Sequence, residues 1–146
     1  MAGINKQLVI GGCLSFVAAL LHILCIIGGP EWYLFFGAGE RMAHLAAEGD
    51  LYPTVITLFI ASILMGWGLY AFSGAGLIIK LPLLKTCLTL ITAVYLVRGL
   101  GGLVGPFLTT HPIVHQNSLA FWLVSSIVCC IFGAFYLLGT IQLFRR

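Results

Sequence analysis

The sequence predicts an all-α integral membrane protein, a four-helix bundle with both termini cytoplasmic (N-in, C-in) and a short interfacial helix in its first outer loop. Three observations predict it: a composition too poor in charge for a water-facing surface, four apolar runs of spanning length, and a lopsided distribution of lysine and arginine. Hydrophobic residues make up 61% of the chain, charged residues 8%, and the mean hydropathy is +1.13. A soluble domain carries about 25% charge. The outside of this chain must therefore face lipid.

At 146 residues the chain has room for one domain. Each spanning helix needs roughly 20 apolar residues, so four spans use most of the length. The first run is 8–28. It is longer than a signal-peptide core and is expected to be retained. The outer loop with its interfacial helix follows over 29–52. The second span is 53–74, opened by Pro53, where a missing N–H does no harm. The third is 81–104, again opened by a proline, Pro82, and the fourth is 118–144. Cys13, Cys25, Cys87, Cys129 and Cys130 all lie in apolar runs without a CxxC pattern, which argues against disulfide exchange.

Orientation follows from basic residues near the span ends. Lys6, Lys80, Lys85, Arg145 and Arg146 flank one side, and Arg41 alone flanks the other. The acidic residues Glu31, Glu40, Glu48 and Asp50 all lie in the first loop. Compactness and the lack of tails suggest a bacterial inner membrane. Trp32, Tyr33, Tyr52 and Trp122 fall near the outer boundary, and Trp67 and Tyr70 near the inner one, as amphipathic rings prefer.

The first loop is the least lipid-like stretch. Residues 40–49 combine helix formers with a glycine stop, and Glu40, His44 and Glu48 share one face. Met42, Leu45 and Ala46 are expected to rest on the bilayer. The aromatic run 32–36 is expected to dip along the interface and cap the bundle mouth.

Polar residues within the spans concentrate in the outer halves: His22, Thr54, Thr57, Arg98, Ser118, Ser125 and Ser126. The inner halves carry chiefly Ser73 and Thr86. That asymmetry suggests a polar pocket on the outer side, with candidate residues His22, Glu31, Glu40, Arg41, His44, Tyr95, Arg98 and Ser125. On the first span Gly11, Ser15, Ala18 and His22 form a small-residue stripe, so His22 is expected to face protein. Gly101 and Gly105 form a GxxxG pair.

Arg98 is the most informative residue, because a charge at mid-membrane costs about 2.5–3.5 kcal/mol even on permissive scales. It is read either as a structural clamp on a first-loop carboxylate, with Glu31 the expected partner at the level of His22, or as the binding group for a lipid phosphate or carboxylate. His22 is read as a structural histidine, or as a group for proton transfer, haem ligation or substrate contact. His111 and His115 have i, i+4 spacing that suits a metal, and His44 is the candidate to complete the set. No cofactor is required by the sequence.

Glu40-Arg41 before the second span and Tyr95-x-x-Arg98 within the third resemble the membrane-bound glutathione and eicosanoid enzymes. That resemblance implies a lipid or thiol-conjugated amphiphile as substrate. It departs at His44 and Glu48, where that family's motif favours arginine and asparagine. Three functions stand open: binding of an amphiphile or membrane partner at an outer pocket, a membrane enzyme of the resembled kind, and a small proton-coupled transporter using His22. The bilayer is the expected environment, a homo-oligomer stays open, and no nucleic-acid partner is expected.

Overall fold

A computed structural model describes residues 3–115 and 117–145, and Arg146, counted above among the flanking charges, lies outside them. Its elements run α1 (Lys6–Gly28), α2 (Pro30–Phe35), α3 (Glu40–Ala47), α4 (Tyr52–Ala75), α5 (Leu84–Leu108), α6 (Pro112–His115) and α7 (Leu119–Phe144), with no strand among the described residues. Helices α1, α4, α5 and α7 are each long and apolar enough to cross a membrane. The chain is all-helical, as its composition predicts.

The third span departs most from the sequence reading, at both of its ends. The third helix begins at Leu84, because Leu83 takes a left-handed conformation (φ 52°) and turns the chain after Pro82. The same helix runs through Pro106 to Leu108. A proline in the last turn forfeits one hydrogen bond near an end where carbonyls already lack partners.

The four long helices lie side by side in the cyclic order α1, α4, α5, α7, with α1 closest to α4 and α5 closest to α7. Small residues set these close approaches. A Cβ on Gly12 would meet the Phe72 ring at 2.7 Å, and one on Gly68 would meet the Phe16 ring at the same distance, which joins α1 to α4. On the other pair, a Cβ on Gly99 would lie 2.5 Å from Cys130 Sγ and 2.9 Å from its backbone nitrogen, so α5 and α7 meet almost backbone to backbone. Gly101 and Gly105 have open space where a Cβ would stand. The GxxxG pair therefore makes no helix contact here, and Gly99 and Gly102 do that work. Large apolar side chains such as Phe59, Val97 and Val124 remain exposed on the outside of the assembly.

One end of the assembly is clamped by Asn5, which is fully buried. Its Oδ1 caps α1 by accepting from the Leu8 amide (3.3 Å), its Nδ2 donates to Gly139 O in α7 (2.7 Å), and its own amide donates to Ala75 O in α4 (3.2 Å). The start of α1 and the ends of α4 and α7 thus share one end. Leu8 fills the space above, against Gly74 and Gly139. Asn5→Ala should lower stability by about 1–3 kcal/mol, since it removes a cap and an interhelical bond together. Asn5→Ser keeps the capping oxygen but cannot reach Gly139, so unfolding in a denaturing-detergent titration should fall between the two.

Candidate functional site

The first loop supplies the other end. Gly29 (φ 72°) breaks α1, Pro30 opens α2, and Gly37 and Gly39 (φ 77° and 95°) turn the chain into α3. The turn rests on the start of α7: side chains on Gly37 and Gly39 would run into Phe121 and Asn117. Tyr33, Ala43 and Cys25 form a small buried core, with Met42 and Ala46 packed against it. The Thr57 hydroxyl donates to Pro53 O (2.6 Å), so Tyr33 Oη donates to Thr57 Oγ1 (3.2 Å) and ties α2 to α4. The helix expected over Glu40–Glu48 is present as Glu40–Ala47. Met42 and Ala46 face protein, contrary to expectation, because their side of α3 covers Tyr33 and Cys25. Phe35 is 84% exposed, so only part of the aromatic run is withdrawn from solvent or lipid.

Arg98 stands on α5, ten residues before Leu108, or about 15 Å from the helix end at 1.5 Å per residue. Its guanidinium donates to Ser125 Oγ (3.1 Å) and Ser126 Oγ (3.3 Å) on α7 and lies 4.9 Å from the centre of the Trp122 ring. Trp122 is held in turn by its Nε1, which donates to Val114 O in α6 (2.7 Å). The close approach at Gly102 makes this possible, because any Cβ there would collide with Ser126 Oγ and with Arg98 itself. Arg98 therefore reaches sideways to α7 instead of across to α1. The expected pairing with Glu31 is not formed. Among the described residues the one ion pair is His44–Glu48 (3.4 Å), which is exposed.

The remaining candidates separate. His22 is half-buried, and its Nδ1 must carry a proton, since it donates to Ala18 O (2.7 Å) on its own helix. It makes no hydrogen bond to Arg98. Glu40 and Arg41 line a cavity of about 470 Å³ with Ala38, Met42, Tyr52 and Asn117, at the mouth between the first loop and the start of α7. Glu31 is exposed. His115 Nε2 lies 3.0 Å from Thr109 O, and His44 faces Glu48. No three histidine, cysteine, aspartate or glutamate residues among those described are gathered as a metal would need, so His44 does not complete a set with His111 and His115.

Tyr95 belongs to a different constellation, which the sequence reading missed. Ser15 Oγ lies 2.9 Å from Tyr95 Oη and 2.8 Å from Tyr136 Oη, and Tyr136 Oη donates to Trp67 O (3.1 Å). Each hydroxyl has one proton, so the directions are settled by counting. Tyr136 gives its proton to the carbonyl, Ser15 gives its proton to Tyr136, and Tyr95 gives its proton to Ser15. The chain joins α5, α1, α7 and α4 at the centre of the assembly, and Ser15 and Tyr136 are fully buried. The rings of Phe132, Tyr136 and Trp67 pack edge-on or tilted against that of Tyr95. Buried polar groups also occupy the half that the sequence reading left nearly bare: Asn5, Ser73, Thr92 and Thr140.

Comparison with protein families, curated proteins and solved structures finds no match to this chain. The resemblance carried by Glu40-Arg41 and Tyr95-x-x-Arg98 gains nothing from geometry either, since Tyr95 is bonded into the core and Arg98 to α7.

Tyr136 Oη makes two hydrogen bonds and Tyr95 Oη one, so removing the first hydroxyl costs two links and removing the second costs one. Tyr136→Phe should therefore destabilise more than Tyr95→Phe, by up to about 1.7 kcal/mol against about 0.6 kcal/mol, the range of interhelical bonds in membranes. Equal effects in a detergent-unfolding titration would contradict this bonding pattern.

Proposed function

We propose that the protein is a small multi-pass membrane protein, standing in a bacterial inner membrane with both termini cytoplasmic, that holds the anionic group of an amphiphile or membrane partner at Arg98. The observation that carries this reading is a half-buried guanidinium whose contacts are two neutral hydroxyls and an indole face. Neutral acceptors orient a cation without cancelling its charge. A guanidinium has five N–H donors in a planar fork, and the two serines take only part of them. An anion beside Arg98 would both neutralise the charge and use the remaining donors, offsetting the cost of keeping arginine in the membrane. Ser125 and Trp122 would then be positioning groups for the arginine. The enzymatic and proton-coupled readings draw no comparable support, as Tyr95 and His22 are already committed to structural bonds.

The polar mouth lined by Glu40, Arg41, Tyr52 and Asn117 supports an approach from the acidic end of the assembly. Basic-residue bias supports an outer position for that end. A reporter active only in the periplasm should work when inserted at Gly49 and fail after the C-terminus, and the reverse pattern would overturn the orientation.

For the site, wild-type and Arg98→Ala protein would be purified in mild detergent and their lipid extracts compared by mass spectrometry. Arg98→Ala should keep a cooperative melting transition and lose a co-purifying anionic amphiphile. Arg98→Lys should recover part of it, retaining charge without the planar fork. Identical extracts from wild type and Arg98→Ala would sink the reading.

A further inference from the structure

The opposite end of the molecule carries a second feature, built from different residues. Between α4 and α5 the chain is held by Ser73, which is buried and bonded twice: its hydroxyl donates to Ile79 O (2.8 Å) and accepts from the Leu81 amide (2.9 Å). Leu83 then turns left-handed, a conformation rare for a residue with a branched side chain, while 75% of its surface stays exposed. The turn brings Lys80 and Lys85 into the lining of one groove of about 380 Å³, with Leu83, Leu84 and Leu143 among its walls. Lys85 is steadied there, its Nζ 4.9 Å from the centre of the Phe144 ring. No ion pair among the described residues engages either lysine. All four acidic residues of the chain fall between 31 and 50, in the loop at the far end.

The geometry points to this groove as a binding site for an anionic phospholipid, its phosphate between Lys80 and Lys85 and an acyl chain along Leu83, Leu84 and Leu143. Charge complementarity selects the occupant. Two ammonium groups with no side-chain carboxylate paired to them among the described residues favour a net-negative headgroup over a zwitterionic one, whose own cation would meet them. The apolar walls favour a lipid over a free anion, since a soluble phosphate gains nothing from leucine. The site is independent of Arg98, which lies on the outer half of α5.

The test uses delipidated full-length protein in a nonionic detergent, titrated with phosphatidylglycerol or phosphatidylcholine of the same chains and read by native mass spectrometry. Phosphatidylglycerol should bind in preference. Lys80→Gln and Lys85→Gln should each weaken it about five-fold, and the double variant about twenty-fold, as expected for basic residues at a lipid surface. Lys6→Gln removes a charge from the same end without touching the groove and should change binding little. Arg98 is intact in all these proteins, so binding there cancels in the comparison. The inference is overturned if phosphatidylcholine binds equally, if Lys6→Gln weakens binding as much as the groove variants, or if inorganic phosphate displaces the lipid. Both groove lysines are exposed, so a melting curve of the double variant should match wild type.

Discussion

The near-contact of α5 with α7 at Gly99 and Gly102 is the constraint on which the rest of the structure depends. At Gly99 the helices approach until a single methyl group would strike the neighbouring backbone. At that spacing a side chain as long as arginine cannot lie between them, so Arg98 bends along the interface and meets Ser125, Ser126 and Trp122. The same proximity presents Tyr95, one turn earlier on α5, to the ring of Tyr136 on α7. In lipid the usual gain from withdrawing apolar surface from water is missing between helices, and packing with a few hydrogen bonds must supply the association. Gly99 and Gly102 provide the first, and the hydroxyls beside them the second.

Polar bonds fix the other helix pairs at two levels. Asn5 draws the start of α1 to the ends of α4 and α7, and Ser15 joins all four long helices at the centre. None of the buried side-chain polar atoms among the described residues lacks a partner. That completeness has a consequence for function. A hydroxyl chain whose every proton is assigned is a structural element, whereas the guanidinium of Arg98 keeps unassigned donors and an uncancelled charge. The two kinds of polar group lie within one helix, three residues apart, and differ in how fully their neighbours satisfy them.

Much of this was legible in the sequence, for identifiable reasons. Span length and hydropathy are set by bilayer thickness, so four long apolar helices followed from counting. The helix at Glu40–Ala47 followed from its glycine stops and helix formers. Arg98 stood out because charge in a span is costly. Its partners were not legible, since periodicity shows which face a residue occupies but not which neighbouring helix that face meets. The acidic first loop invites a carboxylate partner for Arg98, whereas Gly99 and Gly102 bring α5 against α7. Asn5 and Tyr136 carry no charge and sit in no motif, so composition and spacing do not single them out. A mid-span tyrosine between Gly133 and Gly139 is a usable signal: a hydroxyl there must find a partner on another helix. The left-handed Leu83 has no signal in the sequence, since the positive φ falls on a leucine and not on a glycine or asparagine.

The central claim is that Arg98 binds an anion only when the α5–α7 contact holds it against the two serines. The most direct measurement compares Gly102→Ala with Gly101→Ala, both purified in mild detergent and assayed for retained anionic amphiphile by mass spectrometry. Neither changes any charge. A methyl group at Gly102 collides with Ser126 Oγ and the Arg98 guanidinium, whereas one at Gly101 meets open space. The account predicts that Gly102→Ala loses the amphiphile while Gly101→Ala retains it at the wild-type level. Full retention by Gly102→Ala would contradict it.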